Sequence, residues 1–276
     1  MSKEPVASEE IDLDQAEEQE AREREALRAP VIYEIIRREG EEELSRPAFS
    51  LAVSGLAAGI AIGFSVVSEA ILHAYLPDAP WRHLVESFGY TVGFLIIIMA
   101  RLQLFTENTI TPVLPVLLNP TGASIMRTAR LWGIVLTANM VGCFIFALLL
   151  ITPGAIPPEV YRGALSISHH MMENDRWEML IRGVFSGWLI ASLVWMMPTA
   201  ENAKFWVIIL ITYLIAAGNF THIVAGSVEA FLLVLVGDLS LLAMATDFFI
   251  PVLVGNVVGG TCLFAILSYG QISHEI

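Results

Sequence analysis

Leu104-Phe105-Thr106-Glu107-Asn108-Thr109 and Gly218-Asn219-Phe220-Thr221-His222 each interrupt a long apolar run with polar, helix-breaking residues. Backbone N–H and C=O groups in hydrocarbon find no water to bond, so a lipid-facing break of this kind is left unsatisfied. Such breaks persist where protein or a water-filled path surrounds them. Two of them at matching positions in two halves of a chain point to a solute site near the bilayer midplane. These stretches decide the fold class: an all-α polytopic membrane protein whose second and fifth spans are broken, with a transport path at the breaks.

Outward from the breaks, composition agrees. The chain has 276 residues, 55% of them hydrophobic, and a mean hydropathy of +0.66, more apolar than ordinary soluble domains. Six apolar segments fall at about residues 48–74, 87–117, 129–151, 178–197, 205–236 and 247–270. A straight span needs about 20 residues, so four of these fit single crossings and the second and fifth, which carry the breaks, are longer. Loops rich in turn residues separate them, the longest being 152–176 with Pro153, Pro157 and Pro158 near its start.

Charge is concentrated at the front. Residues 1–46 hold 15 of the 28 acidic and 7 of the 15 basic residues, and no Lys or Arg follows Lys204. The acidic balance therefore describes a polar tail, and no basic footprint for nucleic acid exists. This tail has no apolar core of a secretory signal. Residues 14–28 read as helical, and Val31, Ile32, Ile35 and Ile36 suit a helix lying on the membrane or against a neighbouring subunit. The expected division is a charged cytoplasmic N-terminal tail or helix over 1–46 and a transmembrane domain over 47–276. Six spans place both termini on one side, read as the cytoplasm from a weak excess of Arg and Lys. Cys143 and Cys262 lie in apolar segments and read as buried, inert thiols.

An internal repeat connects the halves. Ala138-Asn139-Met140-Val141-Gly142 resembles Gly255-Asn256-Val257-Val258-Gly259, with the asparagines 117 positions apart; Phe105-Thr106 and Phe220-Thr221 lie 115 apart. Three spans per copy is an odd number, so the copies cross the membrane in opposite senses, as two inverted three-helix repeats.

Chemistry-bearing residues gather at the breaks. His222 is either a titratable pore group, since its ordinary pKa near 6.5 places it close to physiological pH, or a neutral histidine bonded in the core. Thr106 and Thr221 either satisfy freed backbone or contact a permeant. Asn139 and Asn256 are placed to tether the broken segments. Arg101, Glu107 and Glu229 are charges in or near the broken spans, each requiring a partner, a proton or water. Glu229 follows His222 by two helical turns, facing either the same side or another subunit. Gly55, Gly59 and Gly63 form a close-packing stripe. His169-His170 with Glu173 are too few ligands for a metal, and no cofactor motif or catalytic constellation of an enzyme is present.

With these residues in view, the chain resembles the formate/nitrite transporter family over about residues 30–270. Leu104-Phe105-Thr106 is similar to the family's loop in the second helix, Phe220-Thr221-His222 to its Phe-Glu-His break, the two asparagine motifs to its paired motifs, and His169-His170 to its His-His pair. The resemblance implies an aquaporin-like protomer, a homopentamer with one pore per subunit in a bacterial inner membrane, and a path for a small monovalent anion or its weak acid, with protons as co-partners. It further implies pore contacts at His222, Thr106, Phe105, Phe220, Thr221, Asn139 and Asn256, and apolar constrictions at Phe94 and Ile215. This sequence departs from the pattern at Ile167, where the family has a lysine, at Gly187, where it has an asparagine, at Thr221, where it has a glutamate, and at Glu107-Asn108, where smaller residues are usual. Those departures mark a divergent branch. They keep open a pore for a neutral or cationic solute (water, a small amide, ammonium) and a membrane scaffold that does not transport.

Overall fold

The computed structural model describes residue 14 and residues 27–273, so most of the segment read as helical over 14–28 lies outside the described residues. Ten helices follow in order: α1 (Ala29–Ser45), α2 (Ala48–Tyr75), α3 (Arg82–Met99), α4 (Val113–Leu118), α5 (Gly122–Leu150), α6 (Pro158–Met171), α7 (Arg176–Ala200), α8 (Lys204–Ala217), α9 (Ile223–Val236) and α10 (Leu241–Ile272). The last contains two wider π turns, Met244–Phe249 and Val258–Ala265. Five stretches are long and apolar enough to cross a membrane: α2, α3, α5, α7 continuing into α8, and α10. The 14 residues of α9 rise about 21 Å, short of a hydrocarbon core of about 30 Å. Exposed Tyr75, Trp81, Trp177 and Trp206 stand at helix ends, the position of aromatic anchors at membrane interfaces.

Both long apolar runs break in the same way. After α3, the N–H of Arg101 bonds the Ile98 carbonyl and that of Leu102 the Ile97 carbonyl, with Arg101 at φ 54°. After α8, the N–H of Asn219 bonds the Ala216 carbonyl and that of Phe220 the Ile215 carbonyl, with Asn219 at φ 50°. Each is a Schellman ending, which caps orphan carbonyls by turning one residue left-handed. Asparagine adopts that conformation readily, whereas Arg101 does so against its usual preference.

Glycines bring the spans together. A Cβ at Gly59 would lie 2.2 Å from the Asn139 carbonyl oxygen, and one at Gly142 would lie 2.5 Å from that of Leu56, so α2 and α5 touch backbone to backbone. In the second half, a Cβ at Gly187 would lie 2.3 Å from the Asn256 carbonyl oxygen and one at Gly259 2.1 Å from that of Val184, so α7 and α10 cross equally closely. Gly187, one of the departures noted above, thus serves this crossing.

Three readings change. The loop 152–176 contains α6, whose buried Val160, Gly163, Ala164 and Ser168 repeat at helical spacing and pack it against α2 and α9. Helix α1 packs inside its own chain through Ile32, Tyr33, Ile36, Gly40 and Leu44, leaving Val31 outward. Its Tyr33 hydroxyl donates to the Leu114 carbonyl at 2.9 Å, and Gly40 lies against the Thr111 carbonyl, which fastens α1 to α4. Cys143 is buried as expected, but Cys262 is exposed on the outer face of α10.

Gly59→Val and Gly187→Val are expected to force the crossings apart, at a cost of about 1–3 kcal/mol or more for overpacking. Thermal unfolding in detergent checks this, with Gly133→Ala and Gly270→Ala as neutral controls, since nothing lies within 4 Å of either added carbon.

Candidate functional site

Each break exposes backbone groups that an asparagine satisfies. Asn139 Oδ1 accepts the Phe105 N–H at 2.9 Å, while its Nδ2 donates to the Gly55 carbonyl at 2.7 Å and the Gln103 carbonyl at 2.9 Å. Asn256 Oδ1 accepts the Ile223 N–H at 2.9 Å, and its Nδ2 donates to the Gly183 carbonyl, Ser186 Oγ and the Thr221 carbonyl at 2.9, 2.9 and 3.1 Å. Both side chains are fully buried, so all of this bonding is dry. Thr221 Oγ1 donates to the Met179 carbonyl of α7 at 2.7 Å, which ties the second break to that helix.

The two breaks meet at one contact. Thr106 Oγ1 lies 2.8 Å from His222 Nε2. His222 caps the N-terminus of α9, its Nδ1 accepting the Ala225 N–H at 3.2 Å. An Nδ1 that accepts a backbone N–H carries no proton, so the neutral ring bears its hydrogen on Nε2 and donates it to Thr106. The Phe94 ring meets the His222 ring edge-on, with centroids 5.1 Å apart. Phe94 and Ile215 are fully buried, Phe105 stacks edge-on against Trp132, and half-buried Phe220 stacks on Phe185.

A cavity of about 730 Å³ opens between α2, α3, α6, α7, α8 and α9, and Asn219, Phe220, Thr221 and His222 of the second break line it. His222, Gly226 and Glu229 line it from one stripe of α9, which answers the alternatives left for Glu229: it faces the cavity. Ile167, His169 and His170 line the same space. Arg101 stands apart from this centre: its side chain is exposed and pairs with Glu39 of α1 at 3.5 Å. Glu107 lies half-buried in the turn after the first break and does not line the cavity. Among the described residues, no cluster of three His, Cys, Asp or Glu side chains is arranged to hold a metal.

Several site-adjacent residues escaped the sequence reading. Gln103 donates to Glu43 of α1 at 2.7 Å and accepts from Asn108 at 3.1 Å, tying the first break to α1. Glu69, Glu86 and Tyr90 line the cavity. Glu69 had a legible signal: it is an acid inside an otherwise apolar span.

The sequence model of the formate/nitrite transporter family matches residues 30–270. The chain is 45% identical over 249 residues to the inner membrane protein YfdC of Escherichia coli (strain K12), spanning 90% of this chain and 80% of that protein. It is 24% identical over 258 residues to the formate channel FocA of Haemophilus influenzae, spanning 83% and 89% respectively. Among solved structures, a pentameric formate channel with formate bound superposes with a TM-score of 0.70 at 22% identity, covering 82% of this chain and 98% of that one. A formate/nitrite transporter family ion channel superposes with a TM-score of 0.77 at 19% identity, covering 87% and 98%. The resemblance read from the breaks and the asparagine motifs is borne out.

Asn139→Ala and Asn256→Ala each strand a buried N–H at a break, at an expected cost of about 1–3 kcal/mol apiece. Thermal unfolding in detergent reads this directly.

Proposed function

Because the chain belongs to the formate/nitrite transporter family, we propose that it is a channel or carrier for small monovalent anions or their weak acids, proton-linked through His222. The observation that carries this reading is the contact between the breaks: His222 Nε2 against Thr106 Oγ1, beside Phe94, with His222 itself lining the cavity. His222 also stands at the N-terminus of α9, whose macrodipole favours negative charge. The centre therefore offers an anion hydrogen-bond donors and a positive dipole end, while Phe94 and Ile215 form the apolar constriction around it. A bare anion in such a slit loses its hydration at large cost, and a proton removes that charge. Thr106, Thr221, Phe105 and Phe220 shape the path, and Asn139 and Asn256 hold its walls in place.

The architecture belonging to this reading is two inverted repeats, α2 to α5 and α7 to α10, in an aquaporin-like protomer. The matched Schellman endings, asparagine bonds and glycine crossings support the repeat. A homopentamer in a bacterial inner membrane follows by likeness to the pentameric formate channel and to YfdC. In this reading residues 1–46 are a cytoplasmic tail and helix, residues 47–276 are the channel domain, and both termini are cytoplasmic.

One observation favours a second reading, a pore for a neutral or cationic solute: four glutamates line the cavity against two arginines, and Ile167 stands there where the family has a lysine.

Labelled-formate uptake into proteoliposomes separates the readings. Wild type is expected to take up formate faster under an inward proton gradient. His222→Ala is expected to assemble normally and to lose about tenfold or more of its pH-dependent flux, the equivalent of one hydrogen bond to a charged group. Normal, pH-dependent uptake by His222→Ala contradicts the proposal.

A further inference from the structure

The cavity above His222 is layered. Helices α2 and α3 run antiparallel, and their register is set by two contacts: His73 Nδ1 to Glu86 Oε2 at 2.9 Å, and the Gly93 N–H to Ser65 Oγ at 3.1 Å. Glu69 lies between these levels, across from Tyr90. Close contact of Gly89 with the Glu69 backbone, and of Gly163 of α6 with the Ala70 carbonyl, grips α2 on both sides there. Glu229 reaches the same cavity from α9. His73 and Glu86 make one layer, Glu69 and Tyr90 the next along α2 and α3, and Glu229 lines the same cavity two turns of α9 from His222, whose ring meets Phe94.

Glu69, Tyr90 and Glu229 are unpartnered. Glu69 is 9% exposed, Glu229 7% and Tyr90 7%, and all three line the cavity. Neither carboxyl group has a hydrogen bond or ion pair with the described residues, and the Tyr90 hydroxyl has none either. The basic groups on the cavity are engaged elsewhere. Arg82 pairs with Asp78 at 3.5 Å and Glu86 at 3.8 Å, and Arg182 with Glu178 at 3.9 Å. His73 and His83 face Glu86, His169 faces Asp238, and His170 faces Glu173. His222 is held by Ala225 and Thr106. Two carboxylates that share one narrow cavity with no cation between them disfavour each other's charge, and a proton relieves it.

Resting on the anion reading above, we propose that Glu69 and Glu229 form a proton-loading site that neutralises the arriving anion before it reaches Phe94 and His222. A carboxyl O–H of the pair gives its proton to an oxygen of the monovalent anion. The neutral weak acid moves on, and the carboxylate left behind takes a proton from the water of the cavity mouth. One proton enters with each anion. The Tyr90 hydroxyl, in the same layer, offers the anion a hydrogen bond during the exchange. This site takes the role that a fixed cation at position 167 cannot take here: it removes the charge of the anion instead of balancing it.

The test follows labelled-formate uptake and internal acidification, read with a trapped pH dye, in proteoliposomes of wild type, Glu69→Gln/Glu229→Gln and Glu69→Asp/Glu229→Asp. At neutral pH the double carboxamide variant is expected to lose about tenfold or more of both signals, with the aspartate variant recovering part of them. At acidic pH, where the medium supplies the neutral acid, its uptake is expected to return toward wild type, which a merely structural defect would not do. Wild-type rates at neutral pH, or an equal loss at every pH in the carboxamide variant, overturn the proposal while leaving the anion reading intact. Methylammonium uptake that depends on the two acids, with formate uptake unchanged, overturns it in favour of a cation site. Absence of formate uptake by assembled wild type overturns both readings.

Discussion

A backbone interrupted at membrane depth must find hydrogen-bond partners within the protein, and two asparagine side chains provide them. Asn139 and Asn256 each accept an N–H from one break and return donors to the span beside it. They reach both because glycines let α2 meet α5, and α7 meet α10, at backbone contact. Without those crossings the amides would fall short, the breaks would be unsatisfied, and a continuous helix would be the cheaper structure. The polar gap at the centre therefore depends on the glycine stripes as much as on the polar residues within it.

That gap brings opposed environments within one helical turn. His222 and Thr106 offer hydrogen bonds, the α9 N-terminus offers a positive dipole end, and Phe94 offers an aromatic edge. The Nδ1 contact with Ala225 ties the ring to the helix, so placing a second proton on the ring means giving up a cap. The imidazole is thus held as an Nε2–H donor aimed at the other break.

Much of this was legible in the chain. Phe105-Thr106, Phe220-Thr221-His222 and the asparagine motifs announced themselves as polar islands in apolar runs, and their near-equal offsets tied the halves together. What stayed hidden depended on partners. Pro157 and Pro158 marked a turn, yet a proline also suits the first turn of a helix, and α6 begins at Pro158. The apolar residues of α1 fitted more than one face until Tyr33 and Gly40 met α4 and its approach. Cys262 shared its apolar setting with Cys143, and composition alone does not separate a core-facing residue from an outward-facing one in a membrane helix. Glu69 stood out as an acid inside an apolar span, but that it shares a cavity with Tyr90 and Glu229 depends on how α2, α3 and α9 pack.

The central claim is that solute passes between the breaks, past Phe94. Formate flux into proteoliposomes through pentamer-size-matched Phe94→Trp and Phe94→Ala tests it most directly. The account predicts that the larger ring blocks flux and that the smaller side chain speeds it and admits bulkier monocarboxylates. Wild-type rates and selectivity in both variants would contradict it.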